Sequence, residues 1–171
     1  MKLLKTKIDS ILKSKGLNRH KITKLIGVSD GTLSKMVLGT KPLSNNVKEK
    51  LLPILEVSRE ELDSWVVVNT YPKEIIERAV KAYTDKEKGL PLLTQNIDKL
   101  LAEKGLNRTD FSKIIDRSQS GFNRVVTTEE TLSDENMERI SAALDIPKED
   151  LQAWVLADKY SLKTLELALR Y

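Results

Sequence analysis

GLNRHKITKLIGVSDGTLSKMVLGTKPLS, residues 16–44, decides the fold of this chain. Gly16 is a helix stop, because a left-handed C′ residue costs glycine nothing. Asn18 is a good N-cap for a short second helix that carries Ile22, Leu25 and Ile26. Gly27-Val28-Ser29 is a tight turn, and Ser29 caps a third helix whose inward face is Leu33, Met36 and Val37. Thr23 places a small side chain where the second and third helices must approach each other.

The stretch is used twice. Shifting the sequence by 89 positions lays GLNRTDFSKIIDRSQSGFNRVVTTEETLS, residues 105–133, over it without a gap. Outside it, Ile8, Asp9 and Leu12 fall on Ile97, Asp98 and Leu101, and Leu62, Trp65 and Val66 fall on Leu151, Trp154 and Val155. Tyr71 and Ala79 meet Tyr160 and Ala168. Where identity fails, character survives: Ile22 pairs with Phe111, Leu33 with Phe122, Met36 with Val125. Duplication of one module is the simplest cause.

Apolar spacing inside each module is helical. Leu4, Ile8, Ile11 and Leu12 form an i, i+4, i+7, i+8 stripe, repeated by Leu93, Ile97, Leu100 and Leu101. Ser44 and Ser133 start a fourth helix, in which Pro53 of the first copy should kink or shorten the end. Ser58 with Glu61 reads as a capping box for a fifth helix ending near Trp65. A sixth runs from about Pro72 to Tyr83, and its counterpart is SLKTLELALRY at the C-terminus. Asp116 replaces Gly27 in the second turn and is among the few side chains that tolerate a left-handed backbone. The expected architecture is all-α: two tandem modules of about five helices each, plus an extra helix per module. The boundaries are 1–70, a helical connector 71–90, and 91–171.

Composition removes several function classes. The chain has 171 residues, no cysteine and a single histidine, His20. A disulfide framework, a thiolate metal site and a cysteine nucleophile are excluded, and a catalytic triad would rest on His20 alone. His20 reads as a solvent-facing residue on a short helix. No Gly-rich phosphate loop or nucleophile elbow occurs, and carboxylates are scattered. No enzyme, metal or cofactor is expected. No apolar run approaches the ~20 residues that span a bilayer, and the charged N-terminus lacks a signal-peptide core.

Two short helices joined by a tight turn are the outline of a helix-turn-helix. Residues 16–44, with LEVSREEL at 55–62, resemble the Cro and phage-repressor family of regulators, the xenobiotic-response-element type. The likeness covers residues 3 to about 66 and, more loosely, 92 to about 155. It implies lambda-repressor-like domains that read a double-stranded DNA operator, in a cytoplasmic protein, bacterial or phage-encoded. It also implies a repressor and a homodimer, since members commonly bind two-fold operators.

By position, the resemblance puts Arg19 on the phosphate backbone and Ser29, Asp30, Gly31, Thr32, Ser34 and Lys35 at the base-reading end of the third helix. Lys41 follows as a phosphate contact in the next loop. Two roles stand open for Asp30: accepting from cytosine N4, or reinforcing the helix N-terminus. In the second copy the corresponding candidates are Arg108, Gln119, Ser120, Asn123 and Arg124.

Charge separates the copies. Residues 1–70 carry 13 Lys and Arg against 7 Asp and Glu, a net +6, while residues 91–160 carry 9 against 13, a net −4. Phosphate neutralisation supplies most non-specific affinity, so the first copy is the better DNA binder. LGTKP at 38–42 becomes TTEET at 127–131, which sets Glu129 and Glu130 against the backbone. For the second copy two roles stay open: DNA contact, or pairing with its own first module, with another chain, or with a regulatory protein or peptide. Leu165, Ala168, Leu169 and Tyr171 are the candidate dimer seam. An antitoxin-like or anti-regulator protein, using the same scaffold to hold another protein, is the competing function.

Overall fold

The computed structural model describes residues 2–86, 89–127 and 132–171. Among the described residues there are twelve α-helices and no strand, and no helix is long and apolar enough to cross a membrane. In chain order they are α1 Leu3–Ser14, α2 Arg19–Ile26, α3 Asp30–Val37, α4 Asn45–Leu55, α5 Arg59–Thr70 and α6 Lys73–Tyr83. Then come α7 Leu92–Glu103, α8 Arg108–Ile114, α9 Gln119–Val126, α10 Asp134–Leu144, α11 Lys148–Lys159 and α12 Leu162–Ala168. Moved by 89 positions, the bounds of α1 to α5 fall on those of α7 to α11 within one residue.

Local chemistry sets those bounds. Asn18 accepts from the Lys21 amide at 2.9 Å, and Asn107 from the Asp110 amide at 2.9 Å. Ser29 and Ser118 accept from Thr32 and Gly121, both at 3.1 Å, and Ser58 from Glu61 at 3.1 Å. Each such bond satisfies an amide that the first helical turn leaves without an acceptor. Ser44 holds the N-cap position of α4 without a side-chain bond, whereas Ser133 accepts from Asn136 at 3.3 Å. Pro53 does not shorten α4, which ends at the same register as α10 with a left-handed residue, Glu56 or Asp145. A proline this close to a helix end removes one hydrogen bond and has little helix beyond it to disturb.

The chain forms two compact units, and their composition departs from the order of the repeat. Unit 1 is Met1–Lys73 together with Lys163–Tyr171; unit 2 is Glu74–Leu162. Each unit is therefore completed by the helix that follows the other copy. In unit 1, α1 packs on α5 and α4, and α2 on α3 and α4. Leu4, Ile8, Leu33, Leu51, Leu62 and Trp65 are in its core. In unit 2, α7 packs on α11, α8 and α9, and Phe111 meets Phe122 with ring centroids 5.3 Å apart.

The candidate dimer seam lies in α12, one of these exchanged helices, and the residues after it. Leu165 and Ala168 are buried, Leu169 is half-buried, and the whole segment belongs to unit 1. Trp65 donates its indole N–H to the Tyr171 hydroxyl at 3.0 Å, and Lys163 reaches Glu60 at 3.7 Å. Leu165 and Ala168 are thus covered within one chain, while Tyr171 stays half exposed.

The outward side of α2 also differs from the sequence reading, and its repeat counterpart in α8 behaves alike. Leu25 is 66% exposed and Ile114 57% exposed, so neither joins the core stripe of its helix. An eight-residue helix buries a narrow face, here Ile22, Thr23 and Ile26.

A candidate nucleic-acid interface

In unit 1 the turn between α2 and α3 is built on Gly27, which adopts φ +73°. Thr23, buried in α2, lets α3 approach closely and also joins the two helices chemically. Its hydroxyl lies 3.0 Å from the His20 carbonyl and also bonds Asp30 Oδ1, while His20 Nδ1 is 2.9 Å from Asp30 Oδ2. Both carboxylate oxygens of Asp30 thus face α2. The Thr23 hydroxyl first, and His20 second, hold the Asp30 carboxyl below its ordinary value. Of the two roles open to Asp30, the geometry favours a local one, fastening the start of α3 to α2.

The remaining candidates of unit 1 share one helix and its flank. Ser29, Gly31 and Lys35 are exposed, Thr32 and Ser34 are half-buried, and Lys41 is exposed in the following loop. The Ser29 hydroxyl donates to the Thr32 hydroxyl at 2.9 Å, which fixes Thr32 beside the cap. Gly39 sits at φ +78°, and a Cβ there would come within 2.6 Å of Asn69 Nδ2. That close approach seats the loop carrying Lys41 against the end of α5.

Arg19 does something the sequence reading did not assign to it. Its Nε and Nη2 fork onto the two oxygens of Asp9, each at 2.7 Å. A bidentate guanidinium–carboxylate pair is oriented as well as charged, so Arg19 first ties α2 to α1. Unit 2 repeats the fork: Arg108 reaches Asp98 at 2.7 and 2.6 Å, and Asp98 raises the Arg108 pKa. Asp9 and Asp98 were missed as partners, although their identity across the repeat was the available signal.

A second frame contact also recurs. Lys50 Nζ donates to the Ile26 carbonyl at 2.8 Å, and Arg139 Nη1 to the Ile115 carbonyl at 3.1 Å. Cationic donors on the last carbonyls of α2 and α8 complete bonds that the helices cannot make internally.

The candidates of unit 2 lie on α9 and at the start of α8. Gln119, Ser120 and Arg124 are exposed and Asn123 is half-buried. Arg108 Nη1 is 3.5 Å from Asn123 Oδ1, so the fork that holds α8 also approaches one reader. Arg117, in the turn, has Nη1 buried without a hydrogen-bond partner. Glu129 and Glu130 lie outside the described residues.

Residues 96–157 match the family model of the Cro/C1-type HTH DNA-binding domain. Nothing among the curated proteins or the solved structures matches the chain. The matched helix-turn-helix segment is the acidic copy. In it, Phe111, Phe122, Ile140 and Leu151 are buried at the repeat positions of Ile22, Leu33, Leu51 and Leu62, which are equally buried in unit 1.

Proposed function

We propose that the chain is a sequence-specific, cytoplasmic DNA-binding transcriptional regulator acting as a repressor, with α3 of unit 1 in the major groove. The observation that carries this reading is the placement of Gly31, Thr32, Ser34 and Lys35 on one helix of a segment with net charge +6. Small polar side chains at a helix N-terminus, with a cation one turn later, suit base edges flanked by phosphates. Occupancy of a promoter suffices for repression. Arg19 acts through Asp9, as a brace that sets α2.

Unit 2 supports a second reading, recognition of a regulatory protein or peptide. Its −4 balance opposes phosphate, and Arg108 is committed to Asp98. Selection of bound duplexes from random DNA, with full-length protein, tests both. Enriched sites that lose affinity steeply with salt support the regulator. Absence of enrichment and of salt-dependent binding at low ionic strength would leave only the protein-binding reading.

A further inference from the structure

The two copies treat the N-terminus of their first helix differently. In unit 2, Asp158 on α11 accepts from the Leu92 amide at 2.7 Å and the Leu93 amide at 2.9 Å, and Lys86 lies 3.0 Å from the same carboxylate. A built-in anion therefore sits on the positive end of α7. At the matched register of unit 1 stands the neutral Asn69. Its Oδ1 and Nδ2 are buried and have no hydrogen-bond partner. The N-cap of α1, Lys2, makes no side-chain cap bond, and the first-turn amides of Leu3, Leu4 and Lys5 have no helical acceptor.

Open space adjoins these groups. A hollow of about 350 Å³ is lined by Lys2, Leu3, Val68 and Asn69, and the Lys2 ammonium lies 3.5 Å from the Asn69 carbonyl. A second, of about 450 Å³, is lined by Lys2, Lys5, Thr6, Asp9 and Leu38. The one carboxylate there, Asp9, is neutralised by Arg19. Lys2 and Lys5 are exposed. A helix N-terminus, two ammonium groups and an unsatisfied buried amide together lack one thing, an oxyanion, and unit 2 carries one at the matched place.

We propose that the N-terminus of α1 is a phosphate-binding site, held by the amides of Leu3 to Lys5, Asn69 Nδ2 and the ammonium groups of Lys2 and Lys5. The phosphate it takes is that of the DNA backbone. Leu38 ends α3, and Lys41 follows three residues later, so the site borders the loop already read as a phosphate contact. The choice of DNA as source rests on the proposed function; the oxyanion chemistry does not.

The test uses full-length, ¹⁵N-labelled protein titrated with inorganic phosphate at constant ionic strength, chloride being the displaced ion. Saturable shifts of the Leu3, Leu4 and Lys5 amides and of the Asn69 side chain are expected. Asn69→Asp installs the carboxylate of unit 2 and should raise Tm while abolishing those shifts; Lys2→Ala with Lys5→Ala should weaken them several-fold. On random-sequence duplex, the slope of log Kobs against log salt should flatten in Asn69→Asp by about 0.9 for each phosphate no longer neutralised. Phosphate-dependent shifts with an unchanged slope would overturn the DNA source and leave a site for free phosphate. Absent shifts, or equal shifts in Asn69→Asp, would overturn the site itself. A wild-type chain that binds no DNA refutes the regulator and leaves the phosphate titration to decide the site.

Discussion

Leu165→Ala should unfold the wrong half of the chain, as judged by sequence. Leu165 is fully buried on α12, which follows the second copy but belongs to unit 1. Truncating a buried leucine costs about 2–5 kcal/mol, depending on how far the cavity collapses. A loss of at least about 3 kcal/mol is expected, because α12 has seven residues and a helix that short is not stable away from its docking surface. Undocking also releases the Trp65–Tyr171 bond and the Lys163–Glu60 pair. With a urea m-value of about 1.5 kcal/mol/M, a loss of about 3 kcal/mol moves the unit 1 midpoint by about 2 M.

Hydrogen exchange read by segment locates the loss. In Leu165→Ala, the slowest amides of α1 and α5 should exchange roughly 100-fold faster, while those of α7 and α11 keep their protection. Ile76→Ala supplies the mirror experiment. Ile76 is 2% exposed on α6, follows the first copy and sits in unit 2, so its loss should fall on α7 and α11. Leu165→Ala weakening residues 92–159 while sparing residues 3–70 would refute the exchange of helices, as would an identical exchange pattern from the two variants.

Asp63→Ala should destabilise unit 1 by up to about 3 kcal/mol, read as a lower urea midpoint, since it removes a carboxylate only 12% exposed that pairs with Lys48 at 2.5 Å and with Arg59 at 3.1 Å. Arg117→Val, which installs the residue of the first copy, should stabilise unit 2 by about 1–3 kcal/mol, because it removes a guanidinium nitrogen buried without a partner; an unchanged or lowered midpoint would contradict that. The Asp30 carboxyl has its pKa lowered from 3.8 by Thr23 and His20, so its contribution is complete above that unfolded value and is lost as pH falls through the lower folded one. Asp30→Asn should therefore remove part of the acid limb of the stability–pH profile and leave its neutral region comparatively flat.

The helices and the turn were legible because each rests on local chemistry. Asn18 and Ser29 cap where their spacing says they should, and Gly27 and Asp116 take the left-handed turn position. What stayed hidden depends on which distant surface a helix meets. The pattern of α12 marks Leu165 and Ala168 as apolar, but the same pattern suits a dimer seam, the second copy or the first. Long polar side chains were the other blind spot. The spacing places Arg19 at the start of α2, and only the fold shows that its guanidinium forks onto Asp9.

GLNR, common to both copies, is thus a unit of assembly. Glycine ends one helix, asparagine caps the next, and arginine locks the second helix to the first through an aspartate that the repeat also keeps. Since the frame uses that arginine in both copies, it does not set them apart as DNA binders. The proposal that unit 1 is the better one rests on positions where the copies diverge, and three of these point the same way. Lys41 has Glu130 as its counterpart, Lys5 has Thr94, and Asn69 has Asp158. Asp158 closes the positive end of α7 that Asn69 leaves open at α1, and Thr94 turns inward to donate to the Val126 carbonyl at 2.7 Å, where Lys5 is exposed. Unit 2 has satisfied internally, with its own side chains, sites that unit 1 leaves available to an anion.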